Sequence, residues 1–121
     1  MSRKTFLQVC FALVIAAAAT SARAEFTSHD CVIAEIQLVV TSTAGPRVAV
    51  RCTAAAPGGI SWFAYNMQAN PDRAKMVLSL LSTAQAAGRN VAIAYESTDT
   101  SGNAWGCLVA DCRSIMQVRT F

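Results

Sequence analysis

The side chains in this chain of 121 residues with the most chemical potential are five cysteines, one histidine and a scatter of aromatics and acids. Cys10 sits inside an apolar run, and Leu7-Gln8-Val9 before it lacks the small residue expected beside a lipid-modified cysteine. That leaves Cys31, Cys52, Cys107 and Cys112, and an even number in a short exported chain reads as two disulfides. Pairing Cys107 with Cys112 closes a small loop and leaves Cys31 for Cys52. A metal site would need tighter paired spacings or more histidines than His29 alone, so neither a metal nor a cofactor is expected. His29-Asp30-Cys31 sets a base near a thiol, but adjacent strand residues point to opposite faces and an oxidised cysteine has no thiolate. Gly59-Ile60-Ser61-Trp62-Phe63 lacks the second glycine of a nucleophile elbow. The acids show no pairing suited to glycoside hydrolysis. The chain reads as non-catalytic.

Binding chemistry is better represented. Tyr95 offers an aromatic face and a hydroxyl, which suit the alternating CH and OH surfaces of a sugar. Following Val91 and Ile93 at strand spacing, it equally suits a core. Trp62, Phe63, Tyr65 and Trp105 fit either a stacking platform or the interior of a small β domain. The Ser97–Asn103 loop is rich in hydroxyls and amides, which can hold a ligand or simply make turns.

These residues need elements to position them. Ser2-Arg3-Lys4, an apolar run from Phe6 to Ala19, and Ala22-Arg23-Ala24 together read as a cleaved secretory signal over residues 1–24. Residues 25–121 remain as one domain of 97 residues with seven basic and seven acidic side chains. Without a net basic field, nucleic acid and anionic lipid are not expected partners. No later stretch is long and apolar enough to span a bilayer. Secretion or residence in the periplasm follows.

Val32–Val40 and Arg47–Cys52 alternate with period two around Thr41–Pro46, which predicts a hairpin. A tight turn near Ala44-Gly45 would set Cys52 opposite residue 37, so a bridge to Cys31 requires a bulge, a wide loop or a segment folding back. Ile60–Tyr65 is a third strand. Asn70 as N-cap, Pro71 at the first position, Asp72 in the first turn and Gly88 as the stop predict a helix over about residues 71–87. Ala74, Val77, Leu78, Leu81 and Ala84 form one apolar stripe, and Met76 and Leu80 form a second. Two stripes imply two packing partners, found either in the chain's own core or in another subunit. Asn90–Glu96, Trp105–Val109 and Arg113–Arg119 read as further strands. The fold class is therefore mainly β: a small OB-fold-like Greek-key barrel of five to six strands, with one helix between strands three and four.

Gly88–Glu96, a polar loop, and Gly106-Cys107-Leu108-Val109-Ala110-Asp111-Cys112 are together similar to the C-terminal half of certain toxin B subunits. These are the pentameric B subunits of the subtilase-cytotoxin and typhoid-toxin group, with pertussis-toxin B subunits more distant. The resemblance implies a homo-oligomeric ring of five OB-folds that binds cell-surface glycan and carries a separate enzymatic A subunit. It implies that Tyr95 takes the place of a glycan-contacting tyrosine, and that Ser28 and His29 stand nearest the family's first-strand serine. The family's second-strand cysteine pairs with one on strand three, which this chain lacks, so Cys31 takes over that role here. The alternative reading is a secreted or periplasmic protein-interaction module, an inhibitor or accessory subunit, with the same fold and no glycan binding.

Overall fold

The computed structural model describes residues 26–41, 43 and 45–121, so the signal expected over residues 1–24 lies outside the described residues. The chain is mainly β. One sheet contains β1 (Phe26–Cys31), β5 (Val91–Glu96) and β7 (Gln117–Thr120), with β5 in the middle. The other runs in the order β2 (Ile33–Val39), β3 (Arg47–Ala56), β4 (Ile60–Asn66) and β6 (Cys112–Ser114). Helix α1 (Pro71–Ala86) lies between β4 and β5 in the chain. All pairings are antiparallel except the parallel pairing of β4 with β6.

Among the described residues seven strands stand where five or six are expected, and their pairing gives two sheets rather than a closed barrel. Phe26–Cys31 lacks apolar alternation in the sequence yet pairs along its whole length with β5. The expected C-terminal strand Arg113–Arg119 is broken because the chain changes sheets there. The Ile115 N–H donates to the Ala64 carbonyl (2.8 Å) in one sheet, and the Met116 N–H donates to the Ala94 carbonyl (2.9 Å) in the other. Trp105–Val109 is not a strand. A 3₁₀ turn over Ser101–Trp105 runs into the Cys107–Cys112 loop, whose cysteine Cα atoms are 5.1 Å apart. Extended chain at roughly 3.3 Å per residue would overshoot that gap, and the Cys112 N–H instead turns back to the Leu108 carbonyl (2.9 Å).

Both disulfides form, Cys31–Cys52 and Cys107–Cys112. The first joins β1 of one sheet to β3 of the other. Its geometry depends on the wide connection and the bulge. β2 and β3 pair from Val39 opposite Arg47, and an irregularity between Ile33 and Glu35 brings Ile33 opposite Cys52. Cys31 then lies within reach, at a Cα separation of 5.2 Å. The same seam carries a bond from the Thr53 N–H to the Val32 carbonyl (2.9 Å) and one between His29 Nε2 and the Ala54 carbonyl (2.9 Å).

The core fills the space between the sheets with Val48, Val50, Phe63, Val91, Ile93 and Tyr95, and α1 adds Ala74, Leu81 and Ala84. Each fully buried Val, Ile, Leu or Phe contributes roughly 1.5–3 kcal/mol. The helix starts as its sequence dictates, with Asn70 Oδ1 accepting from the Arg73 N–H (3.1 Å). It ends in a Schellman arrangement: the Arg89 N–H reaches the Ala84 carbonyl (2.8 Å) and Gly88 takes a φ of +65°. Its second apolar stripe stays uncovered, with Met76 69% and Leu80 37% exposed.

The bridge across the sheets closes a span of 21 residues, whereas the other spans 5. In the chain-entropy model these are worth about 3 and about 2 kcal/mol respectively. Replacing Cys31 and Cys52 by alanine should therefore cost more stability in urea unfolding than replacing Cys107 and Cys112. Full reduction should abolish the cooperative transition seen by circular dichroism.

Candidate functional site

Register along β1 and β5 decides where the sequence-derived binding residues go. Thr27 pairs with Tyr95, Ser28 with Ala94 and His29 with Ile93. Side chains alternate across a sheet, so Thr27, His29, Ile93 and Tyr95 face inward while Ser28, Ala92 and Ala94 face outward. Tyr95 and Ser28 are thus on opposite faces and cannot contact one ligand together. Tyr95 is 2% exposed, and its ring lies 4.9 Å from that of Phe63, tilted by 59°. A ring sealed in this way cannot stack on a sugar, so the glycan-contact role assigned to Tyr95 does not fit its position. The strand alternation with Val91 and Ile93 wins.

Burial holds the Tyr95 phenol above its ordinary value of 10.0, opposed in part by the Arg113 guanidinium. Arg113 itself is committed to the backbone. Nε donates to the Ser97 carbonyl (2.7 Å), and Nη1 to the carbonyls of Val109 (2.8 Å) and Cys112 (2.7 Å). One cation therefore fastens the polar loop after β5 to the disulfide loop. Asp99 Oδ1 accepts from the Ser101 N–H (2.9 Å). Bonds from the Ser101 hydroxyl and backbone keep that carboxyl below the usual range, so the loop's polar groups serve its own turn.

His29 is half-buried, and its ring stacks 6.0 Å from Phe63. A carbonyl can only accept, so Nε2 carries a proton and donates it to Ala54. The four aromatics weighed as a platform lie on different surfaces. Phe63 is fully buried, and Tyr65 packs against the main core. Trp62 and Trp105 flank a second small cluster of Ala49, Ala64, Cys107 and Cys112 on the outside of the four-stranded sheet. The Arg51 guanidinium sits 6.0 Å over the Trp62 ring and is also paired with Glu35 at 3.3 Å. Among the described residues, no group of three His, Cys, Asp or Glu side chains could hold a metal ion.

The outward face of the three-stranded sheet carries a different arrangement. The central strand shows Ala92 and Ala94 there, with Glu96 beyond them opposite Phe26, and the flanking strands supply larger polar groups. Asp30 and Arg119 stand on either side of Ala92, and Ser28 and Gln117 on either side of Ala94. Phe26, 60% exposed, closes one end. The result is an alanine-floored trough of about 230 Å³ walled by a hydroxyl, an amide and a guanidinium. The Arg119 side chain makes no hydrogen bond or ion pair with another described residue. Sequence reasoning found Ser28 but not the walls of β7, which enter only through the pairing of Gln117 with Ala94 and Arg119 with Ala92. No protein-family model matches the chain, and no curated protein or solved structure is significantly similar to it.

Because the Tyr95 ring is a core element, Tyr95→Ala should cost roughly 3–5 kcal/mol of stability, while Tyr95→Phe should fold as the parent does. A phenol held neutral by burial contributes stability in full below about pH 10, its ordinary value. That contribution is lost as pH rises through this value toward the higher folded one. Alkaline unfolding followed by circular dichroism should therefore be steeper in the parent than in Tyr95→Phe.

Proposed function

We propose that the protein is an exported, non-catalytic binding subunit, built on a partly open OB-type barrel, that associates with copies of itself and binds glycan. The observation that carries the binding half is the trough on the outer face of the three-stranded sheet. Its alanine floor and Phe26 suit the CH faces of a sugar ring, and Ser28, Gln117 and Arg119 suit its hydroxyl or acidic substituents. The sugar site of this reading is thus the Ser28 surface and not Tyr95.

The chain path supports the barrel. β1 and β2 are separated by Val32 alone, and β6 and β7 by Ile115 and Met116, so two near-continuous stretches each serve both sheets. With α1 between the strands that act as third and fourth, this is the order of an OB-fold. The disulfides fit an oxidising compartment, and among the described residues no helix is long and apolar enough to cross a membrane. Self-association is supported by the uncovered Met76 and Leu80 stripe. A non-catalytic role is supported by the engagement of His29 with Ala54 and by the bridging of all four described cysteines. A ring of five carrying an enzymatic A subunit is the assembly that the resemblance to toxin B subunits favours.

The burial of Tyr95 favours a second reading, because it removes the ring on which the glycan resemblance leaned. In that reading the chain is an inhibitor or accessory subunit that binds protein. A glycan array separates the two. The proposed function expects binding by the parent that falls about tenfold or more in Ser28→Ala/Arg119→Ala, since each lost hydrogen bond is worth about 1 kcal/mol and one to a charged group more. A blank array together with capture of one protein partner supports the second reading.

A further inference from the structure

The disulfide loop leaves part of the outer face of the four-stranded sheet uncovered, and strand register says what is shown there. Ala49 of β3 and Trp62 and Ala64 of β4 point outward, toward Cys107 and Cys112. Alternation along β3 adds Arg47 and Arg51 to that face, and the pairings of Gln37 with Ala49 and Glu35 with Arg51 add β2. Ala49 keeps the sheet surface low between Gln37, Arg47 and Trp62, while Leu108 and Asp111 of the loop close the other side. The hollow has a volume of about 140 Å³. A cavity of roughly 150 Å³ holds one six-membered ring.

Its walls are braced before any ligand arrives. Gln37 Nε2 donates to Glu35 Oε1 (2.9 Å), Arg51 Nε donates to Glu35 Oε2 (3.3 Å), and the Arg51 guanidinium lies 6.0 Å over the Trp62 ring. Arg47 Nη1 donates to the Gly45 carbonyl (3.3 Å), and the Trp62 N–H donates to the Asp111 carbonyl (3.0 Å). Of the nearby ions, Glu35 and Arg51 engage each other and Arg113 is bonded to backbone carbonyls. The Asp111 carboxylate and the Gln37 amide oxygen engage no other described residue.

We infer that this hollow is a second binding site, separate from the trough, and that it takes one ring of an uncharged sugar. The two ionised groups that line it, Arg47 and Asp111, are of opposite sign. A hydroxyl both donates and accepts, so neighbouring hydroxyls of one ring donate to the Asp111 carboxylate and accept from the Arg47 guanidinium. The free Gln37 oxygen accepts from a third. Trp62 and Leu108 meet the CH groups between them. A sugar acid would bring its carboxylate against Asp111 and is disfavoured. Because the walls are held by bonds within the chain, little is left to order on binding.

The chain has two tryptophans, Trp62 and Trp105, so Trp105→Phe makes the indole in the hollow the sole reporter. The experiment follows its fluorescence in oxidised protein expressed from the full chain. The probes are the methyl glycosides of glucose, galactose, mannose and N-acetylglucosamine, with glucuronic acid as the anionic counterpart. At least one neutral glycoside should give a saturable change, and glucuronic acid should give none. Asp111→Asn and Gln37→Ala should each weaken the neutral sugar, Asp111→Asn by about tenfold or more, since a bond to a charged group is the larger loss. Asp111→Asn should also admit glucuronic acid. The carboxylate is in no bond that the fold uses, so this variant should keep the parent's circular dichroism. Saturation-transfer NMR with the same probes, on the parent and Asp111→Asn, gives the same reading without Trp105→Phe. No saturable binding of any neutral glycoside overturns the inference, as does binding that is indifferent to Asp111→Asn and Gln37→Ala. Binding that is lost only in Ser28→Ala/Arg119→Ala overturns it and leaves the trough standing.

Discussion

The structure depends on how its chain crosses between two sheets. At the β1–β2 crossing, Val32 is the sole connecting residue, and three links hold the seam within a short span: Cys31–Cys52, Thr53 to Val32 and His29 to Ala54. At the other, Ile115 bonds to one sheet and Met116 to its partner. Between these crossings the sheets have no choice of separation, and Phe63, Ile93 and Tyr95 fill what is left. A domain this small buries a modest share of its surface. Covalent closure of the seam does work that a larger core would do by burial alone.

That constraint decides where ligand chemistry can reside. The interior is taken up by packed side chains, including the tyrosine and half-buried histidine that looked most reactive. The outside of the four-stranded sheet is covered in large part by the Ser101–Cys112 segment, with Gly106 essential to its fit. Gly106 has a φ of +98°, and a β-carbon there would run into the Arg47 guanidinium. The outside of the three-stranded sheet is left open, and its central strand bears Ala92 and Ala94 there. Small residues on a middle strand between larger ones on its neighbours make a trough by geometry alone.

Much of the fold was legible because the relevant signals are local. The helix was marked at both ends by Asn70, Pro71 and Gly88, and its bounds follow from capping chemistry. The alternation of Val91, Ile93 and Tyr95 was equally clear. The disulfide partners followed from a count. What could not be read were the long-range features. Phe26–Cys31 has no apolar period because two of the three residues it turns inward, Thr27 and His29, are polar. Arg113–Arg119 carries no mark of the change of sheet at Ile115, which is fixed by carbonyls of Ala64 and Ala94 far away in the chain. The same limit explains the site. Tyr95 as a type of residue suggested sugar, but which face it occupies is a matter of register with Thr27, and Gln117 and Arg119 reach the trough only through pairing with β5.

The trough and the apolar groove that Tyr65, Met76 and Leu80 line beside the β6–β7 crossing are not remote from each other. Gln117 lies at the start of β7 and lines both, with its neighbour Met116 in the groove and Ala94 beside it on the trough floor. A chain seated in the groove would stand at the edge of the trough, so Gln117 belongs to both surfaces and reports cleanly on neither. Ser28 and Arg119 line the trough without touching the groove, and Met76 and Leu80 line the groove without touching the trough. The two surfaces can therefore be addressed separately despite meeting at one residue. Any coupling between them must pass through the short crossing at Ile115 and Met116, which both sheets already hold in place through single backbone bonds.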